Sequence, residues 1–260
     1  MTEQEWMASS DPDAMLSALV TPDFCDSLPS RLYPLEQRIR LFAAACCRRI
    51  WGLLSHPGSR AAVEHAENMA EESPRNHWPD QHWRLAEEVI DACTDLASRR
   101  AASAALTAVQ VRMIRPREMM FAFHEFSPEA NPPIQPEEVF GYAAKTANHC
   151  RCAVGLAASP DRGHETLLAE QAVQASLLRC IFGNPFKASP RIDTAWLRWN
   201  DGTVARLARS IYDERLFGDM GVLHDALLDA GCDEQGMLNH CKGPVHVRGC
   251  WVLDLLLNRE

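Results

Sequence analysis

The chain lacks most of the short motifs that announce a chemistry. No GxxxxGK[ST] or GxGxxG loop is present, so nucleotide binding through a phosphate-cradling turn is not expected. A GxSxG nucleophile elbow is also missing. His164 begins "HETLL", but Leu168 stands where a zinc-protease helix needs its second histidine, and "HEF" at His124 fails in the same way. No stretch reaches the roughly 18 uninterrupted apolar residues of a membrane span. Basic excess is lacking too. With 26 Lys and Arg against 35 Asp and Glu, the formal charge of −9 gives no electrostatic footprint for nucleic acid or an anionic membrane. Arg40, Arg48 and Arg49 are candidates for a local basic patch, and they are expected to pair with the surplus carboxylates.

Strand-like alternation is scarce, and what is present is helical periodicity. Leu35, Ile39, Phe42, Ala43, Cys46, Ile50 and Leu53 recur at three- and four-residue steps after Pro34, with Ala44, Cys47 and Trp51 as a second stripe. That helix should be buried on more than one side. No proline or glycine interrupts Asp80–Arg115, which predicts one long helix or two with a bend near Ser98–Ser103. Pro116 should restart a helix through Met119, Met120 and Phe123. In the last third, Asn200 or Asp201 is expected to cap one helix and Asp219 to precede another. Asp233 should open a third, and Gly249 or Cys250 the last. The expected fold is all-α, with nine to eleven helices and no substantial sheet. "SPEANPPIQP" (Ser127–Pro136) carries four prolines and is the clearest linker. One domain spanning 1–260 is expected, the alternative being two halves, 1–126 and 137–260, joined by the loop 127–136.

Ten cysteines are many for a chain of this size, but pairs such as Cys46–Cys47 are not spaced like a disulfide scaffold. Acidic residues near the N-terminus occupy the place where a secretory leader needs basic ones, so a cytoplasmic protein with reduced thiols is expected.

Candidate chemistry concentrates in "NHCKGPVHVRGCW", Asn239–Trp251. Cys241, His246 and Cys250, joined by Cys232 or His240, offer soft and borderline donors that zinc accepts, with Cys46–Cys47 as a more distant source of ligands. The same letters also spell a helix end at Cys241, a Gly243–Pro244 stop and a new helix near Cys250. Cys250 in a first helical turn, with His246 and Arg248 nearby, gives the further alternative of a reactive thiol with a histidine base. Asp254, surrounded by apolar residues, needs a cation. Arg248 is the expected partner in a structural ion pair, with Arg48 and Arg49 as alternatives. The loop carrying Phe186, Trp196 and Trp199 is either a binding surface or a set of aromatic pins, and pinning is favoured.

"RLFAAACCRRIW" (Arg40–Trp51), "LLRCIFGNPF" (Leu177–Phe186), "WNDGTVARLARSIYDERLF" (Trp199–Phe217) and "HCKGPVHVRGCWVLDLLL" (His240–Leu257) resemble blocks of a bacterial family of helical hypothetical proteins. These carry an N-terminal Glu-Trp segment like Glu5–Trp6. The resemblance implies that the C-terminal third is a unit, and it implies no activity. The leading functional expectation is a non-catalytic helical binding or scaffold protein with a protein partner and no cofactor. A zinc-type metal protein is the second reading and a cysteine-based enzyme the third.

Overall fold

A computed structural model describes residues 1–20, 32–71, 80–111 and 136–259. Among these residues the fold is all-α: twelve α-helices, no strand, one helix more than the expected range. They are α1 (Glu3–Ala8), α2 (Pro12–Leu19), α3 (Leu32–Arg49), α4 (Pro57–Glu71), α5 (Asp80–Ala92) and α6 (Leu96–Val109). The remaining six are α7 (Pro136–Ala157), α8 (Gly163–Phe182), α9 (Thr194–Asp213), α10 (Met220–Asp229), α11 (Gln235–Cys241) and α12 (Trp251–Leu257). No described helix is long and apolar enough to cross a membrane. The chain divides into two compact units, one of Met1 with Ser9–Ala175 and one of Thr2–Ala8 with Ser176–Glu260. The division falls inside α8. The proline-rich segment 127–136 lies almost wholly outside the described residues, as does the helix expected after Pro116.

In the first unit α3 is the central element. Ile39, Phe42, Ala43, Ala44, Cys46 and Cys47 are all fully buried, so both apolar stripes are covered, as a helix enclosed on several sides requires. Small residues set the approach of α6 to α7. Ala101, Ala104, Ala105 and Ala108 are buried on one, Ala143, Ala147, Cys150 and Ala153 on the other. The Thr146 hydroxyl donates to Thr107 Oγ1 at 2.8 Å across that contact.

The alanine-rich region divides earlier than the sequence suggested. α5 stops at Ala92, and the Asp95 carboxylate accepts the Ser98 backbone N–H at 2.8 Å to start α6. A cap satisfies an otherwise orphaned donor. It therefore places the break at Cys93–Asp95, where the side chain can reach, and not at the serines further along.

The arginine cluster is paired with carboxylates. Arg40 meets Glu36 at 2.6 Å with both side chains buried, Arg48 makes a two-pronged bond to Glu67 at 2.9 and 2.7 Å, and Arg49 reaches Glu170 at 2.9 Å. Buried Gln174 ties α8 to α7: its carbonyl accepts from Arg151 at 3.0 Å and its amide donates to the Ala147 carbonyl at 2.9 Å.

Replacing Gln174 with alanine removes both of those buried bonds, although Arg151 keeps Asp13 at 2.7 Å. The expected loss is about 3 kcal/mol in urea unfolding. Breaking the exposed Arg162–Glu165 pair with Arg162→Ala should change stability by less than about 0.5 kcal/mol. Equal effects from the two variants would contradict this account of the unit.

Candidate metal centre

The second unit is built from shorter helices around a core that includes Val204, Ala208, Ile211, Leu223, Leu227, Met237, Val252 and Leu253. α9 is bent inside this unit. Trp199 is extended, and Asn200, Asp201 and Gly202 follow with φ of 46°, 55° and 79°. Asn200 and Asp201 therefore form the left-handed turn of a kink; α9 itself is capped by Asp193, whose carboxylate accepts the Ala195 N–H at 2.8 Å. Arg206 donates to the Asp201 carbonyl and Thr203 to the Asn200 carbonyl, so the turn's own carbonyls are satisfied.

Four side chains converge in this unit. Cys180 stands in the last turn of α8, which ends at Gly183 with φ +62°. His240 lies in the last turn of α11. The Gly243 N–H bonds the His240 carbonyl at 2.8 Å, closing the turn that leads to His246. Cys250 is the residue before α12, and its carbonyl accepts the Asp254 N–H at 2.9 Å. Their donor atoms all lie within 4.8 Å of one another, a grouping able to hold a metal ion. Cys250 Sγ is 3.3 Å from His240 Nε2 and 3.9 Å from His246 Nδ1. The two sulfurs are fully buried, whereas the imidazoles are half-buried.

The surroundings orient the ligands. His246 Nε2–H donates to the Gly243 carbonyl at 2.9 Å, which fixes the neutral tautomer and leaves Nδ1 as the lone-pair nitrogen facing Cys250. The His240 ring lies edge-on to His246 at 4.9 Å and tilted against Trp251 at 5.4 Å. Burial acts to raise the Cys250 thiol, but hydrogen bonds from Cys180 and His240 outweigh it and hold the thiol well below its ordinary range. Cys180 is pushed well above that range by burial, and then by its hydrogen bond to Cys250 and that thiolate's charge.

His240, His246 and Cys250 from the sequence-predicted set belong to this group. Cys232 and Cys241 do not. Cys241 is buried on the apolar face of α11 beside Met237 and Leu238, and burial pushes its thiol up to about 12; Cys232 packs into the same core. Cys46 and Cys47 lie in the core of the first unit. Cys180 was not anticipated as a ligand. It sits 60 positions before His240 in an apolar helix end, and no local spacing links it to the others. Its only sequence signal is a cysteine three residues before the glycine that follows its helix.

Asp254 is buried in the first turn of α12, and the Arg248 guanidinium lies 5.9 Å from the Tyr212 ring centroid. Arg48 and Arg49, the alternative partners for Asp254, are engaged by Glu67 and Glu170. Trp196 is buried in the core with Trp199 packed against it, while Phe186 is exposed and meets Trp6 edge-on at 6.3 Å.

No protein-family model, curated protein or solved structure matches this chain.

Gly183 joins the centre to its support. A β-carbon there would lie 3.2 Å from Trp251 Cγ, on a backbone that L-residues rarely adopt. Gly183→Ala should cost at least about 1–2 kcal/mol from the left-handed conformation alone, read as a lowered Tm in thermal unfolding. An unchanged Tm would mean that this close approach is not a constraint.

Proposed function

We propose that the second unit is a metal-stabilised helical module, with zinc held by Cys180, His240, His246 and Cys250, in a non-catalytic binding or scaffold protein. The observation that carries the reading is the convergence of two sulfurs and two imidazole nitrogens on one point. Zinc–sulfur bonds of about 2.3 Å and zinc–nitrogen bonds of about 2.0–2.1 Å make the sulfur–nitrogen edge of a tetrahedron about 3.6 Å. The 3.3 and 3.9 Å separations from Cys250 bracket that value. Two thiolates with two neutral imidazoles are a donor set for zinc and not for magnesium or calcium, which select oxygen.

A structural role follows from the ligand count. Catalytic zinc keeps one position for water or substrate, whereas four protein ligands close the shell. The two sulfurs are sealed from solvent, which also weighs against a cysteine enzyme: a nucleophile at Cys250 would have no open side from which to attack a substrate. The bond from His246 to the Gly243 carbonyl supplies the outer contact that metal-bound histidines ordinarily make. The scaffold part of the reading rests on two supports: an all-helical fold, and a sequence without nucleotide or hydrolase motifs.

Elemental analysis of protein purified without chelator tests the reading. About one zinc per chain is expected, retained in Cys241→Ser and lost in Cys180→Ser. Chelation should lower the unfolding temperature of the second unit. Absence of stoichiometric metal from the wild-type chain, or equal loss from both variants, would overturn the assignment.

A further inference from the structure

We infer that metal occupancy controls the docking of the N-terminal helix α1 on the rest of the second unit; this rests on the metal reading above. The contacts form one continuous chain. Trp6 is fully buried, its indole N–H donates to the Gly183 carbonyl at 2.9 Å, and Arg179 donates to the Trp6 carbonyl at 3.1 Å. Glu3 accepts from Asn184 at 2.9 Å and pairs with Lys187 at 2.6 Å. These four polar partners of α1, and Phe186 against the Trp6 ring, all lie at 179–187, the stretch that begins beside Cys180.

The same short stretch also meets the Cys/His group. Gly183 approaches the Trp251 ring, and Trp251 both follows Cys250 in the chain and packs against His240. The last turn of α8 is thus shared: Cys180 supplies a ligand, while Arg179 and Gly183 hold α1. With zinc bound, that turn is cross-linked to α11 and α12. Without it, that cross-link is absent and the floor under Trp6 is free to shift. An element biased by two sites couples them, and the coupling acts equally in both directions. Metal binding strengthens α1 docking, and α1 docking strengthens metal binding. Loss of metal would uncover the Trp6 seat and release the Glu3–Ala8 segment.

The test uses the full chain, zinc-loaded and chelator-stripped. Hydrogen exchange of residues 2–8 should be about 10-fold faster after stripping, while α6 and α7 in the first unit exchange as before. In competition with a chromogenic chelator, Trp6→Phe, which keeps a ring but loses the N–H donor, should bind zinc about 10-fold more weakly than wild type. Met7→Ala, at a largely exposed neighbour, should bind as wild type does. Stoichiometric zinc with equal exchange of residues 2–8 in both forms, and wild-type affinity in Trp6→Phe, would overturn the coupling and leave the metal reading intact. A wild-type chain that binds no zinc would remove both. If stripping unfolds the entire second unit, the affinity of Trp6→Phe alone decides: weakened binding supports the coupling and unchanged binding ends it.

Discussion

Two cysteine sulfurs, sealed from water and within reach of each other, set the central constraint on the second unit. A buried thiolate is costly unless cations or donors surround it. Here Cys250 has two imidazoles and the Cys180 thiol around it, and Cys180 is as deeply buried. A divalent cation in the middle would resolve the conflict by accepting both sulfurs as thiolates. The local structure is arranged as that outcome needs. α11 and α12 have seven residues each, too short to persist by helix propensity. They are held by tertiary contacts, and the Cys/His group is where the end of α8, the end of α11 and the start of α12 meet.

The first unit is held by different means. Its helices run to 22 residues, and α6 and α7 meet through alanines that allow close backbone approach. The charged side chains taken inside come with partners: Glu36 with Arg40, Glu67 with Arg48, Glu170 with Arg49. Such pairs break roughly even against apolar replacements of the same shape, though removing one partner is expensive. Their contribution is therefore to fix which helices meet, while the apolar packing supplies most of the stability. The second unit has fewer long helices and a kink through Asn200–Gly202, so a cross-link would contribute more there.

The fold class was legible because period and composition act locally. The stripes through Ile39–Ile50 and Val204–Tyr212 report helix faces wherever those helices go. Boundaries were less legible. The cap at Asp95 competes with the serines beyond it, and only the bond to Ser98 decides the position. At Asn200–Asp201, good capping letters instead occupy left-handed backbone, a use of Asn and Asp that the letters alone do not distinguish from an N-cap. Of the candidate site, His240, His246 and Cys250 could be read because one turn and one short link bring them together. Cys180 could not, since its place depends on the packing of α8's end against α12. Cys241 misled for the opposite reason: it is adjacent in sequence to a ligand but lies on the other face of α11.

In "NHCKGPVHVRGCW" a Cys/His group able to hold a metal and a helix connection are compatible readings. The Gly243–Pro244 stop that ends α11 also leaves the Gly243 carbonyl where His246 can donate to it. That bond selects the tautomer whose Nδ1 faces Cys250, so the residues that terminate the helix also prepare a ligand. Cys250 likewise serves two purposes, as the residue that starts α12 and as a donor atom. A connection of this kind places its ligands as a consequence of folding, with little side-chain freedom left to lose on binding. Preorganised geometry lowers the entropic cost of capturing an ion, and it explains how so short a link could carry half of a metal site.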